Sequence, residues 1–154
     1  LIGAGWGTYG ALRVWLGDGN GQWTATTPLA KGSYYGVNVG DMNSDGNLDI
    51  IAATYRKGVQ IFLGNGMGSF QMVKGPVETA HLGSESFWQV LPVDLDDDGE
   101  LDIVASSLDN KGLLAWRNAG ENKWKYYQGQ FPTVGIYYGY FSKIEFLSTG
   151  YFSN

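Results

Sequence analysis

The apolar residues of this chain fall in short runs, such as Ile50-Ile51-Ala52-Ala53, Ile61-Phe62-Leu63 and Ile103-Val104-Ala105, each closed off by Gly, Asn or Asp nearby. Runs this short, rich in β-branched and aromatic residues and bounded by turn formers, predict strands rather than helices. In the clearest stretch the strands fall near residues 35–39, 50–55, 59–63 and 70–73. Gly64-Asn65-Gly66, and Gly17-Asp18-Gly19 earlier in the chain, supply residues that tolerate positive φ, as tight hairpins require. Gly-x-Gly in this setting predicts a turn, because a phosphate-binding loop needs a helix N-terminus behind it.

The pattern repeats. Val39-Gly40-Asp41-Met42-Asn43-Ser44-Asp45-Gly46-Asn47-Leu48-Asp49-Ile50-Ile51-Ala52 matches Pro92-Val93-Asp94-Leu95-Asp96-Asp97-Asp98-Gly99-Glu100-Leu101-Asp102-Ile103-Val104-Ala105. The match continues from Gly58 to Leu63 against Gly112 to Arg117, and from Phe70 to Trp124 after a one-residue insertion. An earlier partial copy, Leu12 to Trp23, resembles Val59 to Phe70. Units of roughly fifty residues carrying four short strands fit the blade of a β-propeller better than a helical solenoid repeat. The expected class is therefore all-β, with blades of four antiparallel strands in a single repeat domain. Residues 1–30 make a partial blade, 31–80 and 81–130 a blade each, and 131–154 the start of another blade or an irregular tail. Closed propellers have about 4 to 8 blades. About three blades leave open edges, so the expectation is a piece of a larger ring or a protomer that completes its ring by association with further copies.

Between the first and second strands of each full unit lies a nine-residue acidic loop. Asp41, Asn43, Asp45 and Asp49 hold positions 1, 3, 5 and 9 of one, and Asp94, Asp96, Asp98 and Asp102 the same positions of the other. Calcium takes about 6–8 hard oxygen ligands, and short carboxylates alternating along a curled loop can converge on one ion. The main-chain carbonyl of position 7, Asn47 or Glu100, adds a further oxygen, and Gly46 and Gly99 at position 6 permit the sharp turn. Leu48 and Leu101 at position 8 are expected to anchor each loop to the core. Position 12 is Ala52 or Ala105, where an EF-hand needs a bidentate Glu, and strand-like residues follow each loop; an EF-hand is excluded. A metal-free acidic turn uses Asp, Asn and Gly too, but it does not need four oxygens at odd positions twice over.

With these residues in view, the two units resemble the FG-GAP and VCBS-type repeats of integrin-α-like β-propellers. The resemblance spans about residues 1–128 and is strongest from 35 to 124. It implies an Asp-x-Asp-x-Asp-Gly-x-x-Asp calcium loop in each blade, hence two ions: one on Asp41, Asn43, Asp45, Asn47 and Asp49, the other on Asp94, Asp96, Asp98, Glu100 and Asp102. After Tyr138-Gly139 the metal position reads Ile144-Glu145-Phe146-Leu147, so no third ion is expected. Such ions are expected to be structural, neutralising clustered carboxylates that repel one another. If their affinity lies in the weak extracellular range, roughly 10⁻⁴ to 10⁻³ M, the sites fill outside cells and stay empty in cytosol, which argues for a secreted or cell-surface protein.

Composition narrows the picture further. Hydrophobic residues make up 44% of 154 and charged residues only 16%, as in a globular β protein poor in surface charge. The net charge of -5, gathered largely in the two loops, makes nucleic acid an unsuitable partner. With no Cys there is neither a disulfide framework nor thiolate metal chemistry, and bound ions can do the stapling instead. No apolar run reaches membrane-spanning length, and the start at Leu1-Ile2-Gly3-Ala4 lacks the basic residues of a signal peptide, as expected of a mature chain or one cut from something longer.

Trp15, Phe62 and Trp116 share one repeat position and Trp23, Phe70 and Trp124 another, which points to packing between blades. Tyr35, Trp88 and Tyr138 recur at the start of the innermost strand, where they form a candidate ligand surface at the mouth of a channel. Trp6, Tyr34, Tyr126, Tyr127 and Tyr137 fall outside the repeat and suit either edge packing or a stacking surface for sugar rings. His81 lies in a variable linker away from any nucleophile pattern, and the paired acids are those a metal would need, so no catalytic constellation is present. Two functions remain: a calcium-binding adhesion or assembly module with a protein or glycan ligand at the cell surface, or a carbohydrate-binding or carbohydrate-active propeller.

Overall fold

The computed structural model describes residues 1–7, 9–76, 86–108 and 112–128. Among them are twelve strands and no helix. Strands β1 (Ile2–Ala4), β2 (Ala11–Gly17), β3 (Trp23–Ala25) and β4 (Ala30–Lys31) make the first sheet. Strands β5 (Tyr34–Gly40), β6 (Asp49–Thr54), β7 (Val59–Gly64) and β8 (Phe70–Val73) make the second, in chain order. The third, also in chain order, holds β9 (Phe87–Val93), β10 (Asp102–Ser107), β11 (Leu113–Asn118) and β12 (Trp124–Tyr126). Every pairing is antiparallel, as expected where short turns join consecutive strands.

The repeat seen in the sequence is also a repeat of register. Val39 faces Ile50 and Gly40 faces Asp49 in the second sheet; their counterparts Pro92 and Ile103, and Val93 and Asp102, face each other in the third. Pro92 is tolerated because β9 pairs on one side only, so its missing N–H breaks no ladder. The first sheet departs from the pattern. There β3 covers only Trp15 to Gly17 of β2, and β4 takes over the same edge at Ala11 and Leu12. Thr26 and Leu29 donate their N–H groups to the carbonyls of Val14 and Leu12 between the two, both at 2.9 Å.

The sheets stack face to face, and two apolar cores lie between them. Leu12, Val14, Tyr34, Ile50, Ala52 and Phe62 fill the space between the first and second sheets. Ile51, Ala53, Ile61, Phe87, Ile103 and Trp116 are among those that fill the space between the second and third. Successive side chains of a strand point to opposite faces. Strand β6 therefore sends Ile50 and Ala52 into one core and Ile51 and Ala53 into the other, which is why its sequence is continuously apolar and all six of its residues are buried. Phe62 and Trp116, at 2% and 1% exposure, each contribute roughly 1.5–3 kcal/mol by burial. Trp15, at the same repeat position, lies on the face of the first sheet turned away from these cores and is half-buried, with its ring against Gly3.

Because direction alternates along each sheet, the β5–β6 and β9–β10 loops emerge at the same end as the β2–β3, β7–β8 and β11–β12 turns. Every carboxylate among the described residues lies at this end: Asp18, the acids of the two loops, and Glu121. Lys31, Arg56, Lys57 and Lys74 lie at the other end. The candidate strand at 135–140, together with Tyr137, Tyr138, Glu145, His81 and the tail from 131, falls outside the described residues.

Candidate metal centre

Each acidic loop is wound by its own side chains. Asp41 at position 1 accepts the N–H of Asp45 at 3.0 Å and that of Gly46 at 2.8 Å; Asp94 accepts those of Asp98 and Gly99 at 3.2 and 2.9 Å. Position 5 then holds position 7: Asn47 donates to Asp45, and Glu100 to Asp98, both at 2.8 Å. The curl needs left-handed backbone at position 6, supplied by Gly46 (φ 84°) and Gly99 (φ 89°). It also needs it at position 4, where Ser44 (φ 57°) and Asp97 (φ 59°) take it up. That second requirement was not read from the sequence; Asp97, a residue type that tolerates this conformation, was its only signal.

Position 9 ties each loop to its blade. Asp49 accepts the N–H of Met42 at 2.8 Å on one oxygen and that of Gly64 at 2.7 Å on the other. Asp102 does the same with Leu95 at 3.0 Å and Asn118 at 2.7 Å. Both carboxylates are buried at the start of their strands. Burial pushes their pKa values up, the main-chain donors pull against it, and the neighbouring acids push further up: Asp45 and Asp41 for Asp49, Asp96 and Asp98 for Asp102. Exposed Asp45 is held below the usual carboxylate range, first by the amide of Asn43, which donates to it at 3.0 Å, and then by the N–H of Asn47.

In the second loop, Asp94, Asp96 and Asp102 each bring one carboxylate oxygen to within 4.8 Å of the others, a group that can hold a metal ion. Arg117 sits beside it, with its guanidinium 3.0 Å from Asp96 and 5.1 Å from the centre of the Tyr127 ring. In the first loop position 3 is the amide of Asn43, which leaves Asp41, Asp45 and Asp49 as the charged ligand positions, and Leu63 stands where the second unit has Arg117. Glu100 turns its carboxylate to Ser44 of the first loop, at 2.7 Å.

One expectation is corrected. Leu101 at position 8 is partly buried against the core between the second and third sheets, close to Gly40, but Leu48 at the same position is 65% exposed. Position 8 packs on the acidic-loop segment of the preceding blade, and the first sheet offers no such segment to Leu48.

The candidate ligand surface lies at the opposite end. Tyr35 and Trp88 meet at 4.9 Å between ring centres, and Trp6 stacks on Tyr35 at 6.4 Å with 20° between planes. Tyr55 joins edge-on at 6.3 Å, with Arg56 over its ring. The row thus runs across all three sheets and ends on Trp6, which is 74% exposed. Tyr138 lies outside the described residues.

Three four-stranded antiparallel sheets stacked as blades, two of them with matching acidic loops, define a β-propeller-type repeat module. The family model of the FG-GAP-like repeat matches residues 1–52 and again 41–105, and the chain belongs to that family. No curated protein and no solved structure matches it. FG-GAP-like repeats often bind calcium, and the second loop fits such an ion: hard oxygen donors only, converging from positions 1, 3 and 9.

Proposed function

We propose that this chain is a calcium-stabilised β-propeller module of a secreted or cell-surface protein, acting in adhesion or assembly. The observation that carries the proposal is the convergence of Asp94, Asp96 and Asp102, set in a hydrogen-bond frame that the first loop reproduces position for position. One ion on Asp41, Asn43, Asp45, Asn47 and Asp49, and one on Asp94, Asp96, Asp98, Glu100 and Asp102, would neutralise like charges that otherwise repel across each loop. Collecting the described carboxylates at one end strengthens the field that draws cations there. The family is typical of extracellular and cell-surface proteins and generally acts by binding rather than catalysis. No helix among the described residues is long and apolar enough to cross a membrane.

The test is thermal unfolding of the parent and of Asp45→Ala/Asp98→Ala, each in calcium and in chelator. An ion at about 100 times its Kd stabilises by about 2.7 kcal/mol per site, which raises Tm by at least about 5 °C in a chain of this size. That rise is expected in the parent and not in the variant; equal melts of the parent in calcium and chelator would defeat the reading.

A second reading, sugar binding, is favoured by the Trp6–Tyr35–Trp88 row, since exposed aromatic rings stack on the apolar faces of sugars. Calcium-dependent glycan binding that Trp6→Ala abolishes without changing the melt would select it. Association with further copies, or with neighbouring blades of a longer chain, is the partnership proposed for the open edges; light scattering of the same samples reads it directly.

A further inference from the structure

Asp49 and Asp102, the position-9 carboxylates of the two loops, are linked by three hydrogen bonds that run through two intervening residues, Met42 and Asn118. Asp49 accepts the N–H of Met42 at 2.8 Å; the carbonyl of Met42 accepts the side-chain amide of Asn118 at 3.0 Å; the main-chain N–H of Asn118 donates to Asp102 at 2.7 Å. The Asn118 amide also reaches the carbonyl of Leu101 at 3.3 Å, inside the second loop. A second tie runs alongside it, from the Ser44 hydroxyl to the Glu100 carboxylate at 2.7 Å. The two ties flank one cleft, lined by Met42, Asn43, Glu100, Asn118 and Glu121.

Residue type shows where this linkage comes from. Gly64 fills the repeat position of Asn118 and makes the same main-chain bond to Asp49, but it has no side chain to send into another blade. The Asn118 amide is thus an addition at the junction of the second and third sheets, beyond what holding a single loop requires.

On the reading that both loops bind calcium, we infer that the two sites fill cooperatively, with Asn118 as the positioning residue that couples them and Ser44 as its auxiliary. An ion in the first loop fixes Asp49, and through its bond to the Met42 N–H the backbone on both sides of the Met42 α-carbon. A fixed Met42 carbonyl holds the Asn118 amide, and Asn118 holds Asp102 and Leu101 in the second loop. Ordering caused by the first ion is then no longer required of the second, which is positive coupling, and by linkage it acts equally in both directions. Each ion would be held by the carboxylates of its own loop, which would offset repulsion between the two ions.

Calcium titration calorimetry on the full chain tests this. Asp45→Ala disables the first loop and reports the second loop alone. With Asp98→Ala reporting the first loop alone in the same way, the product of the two stepwise binding constants in the parent is expected to exceed the product of the two single-loop constants about five- to tenfold. In a Ser44→Ala/Asn118→Ala background, the same comparison is expected to fall within about twofold, because the sites remain but the ties are gone. Ser44 is exposed, so Ser44→Ala alone keeps the test open if Asn118→Ala fails to fold, with a partial loss of coupling expected. Two independent steps in the parent would overturn the coupling and leave the calcium reading standing, as would coupling that survives removal of both ties. No calcium heat in the parent would overturn the calcium reading, and the coupling with it.

Discussion

Phe62 and Trp116 occupy the same position of successive repeat units, and each is inserted into the core between its own sheet and the sheet before it. Trp15 occupies that position in the first sheet and is only half-buried. Truncating the two buried rings removes a full aromatic from a closed core, so Phe62→Ala and Trp116→Ala are each expected to cost about 3–5 kcal/mol. Trp15→Ala is expected to cost well under half of that. Urea unfolding of the three variants measures the difference; equal losses at all three positions would show that the repeat position carries no inter-sheet packing.

Gly36 lies where β5 passes close to the main chain of β9. A β-carbon there would stand 2.7 Å from the carbonyl oxygen of Trp88 and 2.8 Å from the α-carbon of Gln89, both main-chain atoms that cannot move aside alone. Gly36→Ala is therefore expected to destabilise by about 1–3 kcal/mol, the range for overpacking. Gly46→Ala meets no neighbouring atom, so any loss there comes from its φ of 84° alone and should fall largely on the loop. Comparing both melts in chelator and in calcium separates the two causes, with calcium affinity affected chiefly in the second.

Asp49 and Asp45 belong to the same loop but differ in burial. Asp49→Asn keeps the shape but turns an amide NH₂ toward one of two buried N–H donors, a loss of about 1–3 kcal/mol whether or not calcium is present. Asp45→Asn is expected to leave the melt in chelator nearly unchanged while reducing the calcium-induced rise. A chelator-state loss of the same size for both, with the calcium-induced rise intact, would show that the Asp45 carboxylate serves only the frame of the loop, through Asn47, and not an ion.

The pH response of the metal-free protein follows from the same two buried acids. Asp49 and Asp102 have folded pKa values above the ordinary 3.8, so between 3.8 and the raised values the folded state holds more protons than the unfolded chain. The stability they contribute is complete below 3.8 and is lost as pH rises through the raised values. Asp45, shifted down, acts in the opposite sense, and only below 3.8. In chelator, Tm is expected to rise as pH is lowered from 7 toward the carboxylate range. In excess calcium the added stabilisation is expected to shrink over the same interval, because the ligands must be deprotonated to bind. A chelator-state Tm that falls steadily from pH 7 downward would contradict the assignment.

Much of this architecture was legible beforehand because its signals are local. The strands of the second sheet lie within about a residue or two of the runs that predicted them, since alternation and turn residues act over neighbouring positions. Strand β1, three residues long with Gly at its centre and Gly after it, has too little pattern to announce itself. The acidic positions were visible because a loop that curls on its own side chains keeps its chemistry within nine residues. Asn118 and Ser44 were not visible, because each acts across the gap between two sheets and nothing in its neighbourhood along the chain marks it. Trp6 and Tyr55 likewise join Tyr35 and Trp88 only once three sheets are stacked.

The sequence by itself determined the all-β class, the four-strand unit, the two loops and the residue types at each of their odd positions, because spacing, residue volume and oxygen chemistry are properties of short segments. Only the tertiary structure decided which face of each strand meets which neighbour. It buried Leu101 and exposed Leu48 although both hold position 8, and it joined Asp49 to Asp102 through Met42 and Asn118. The physical reason is that these contacts depend on the distance between sheets, which is set by the packing of two separate cores and is written in no single stretch of chain.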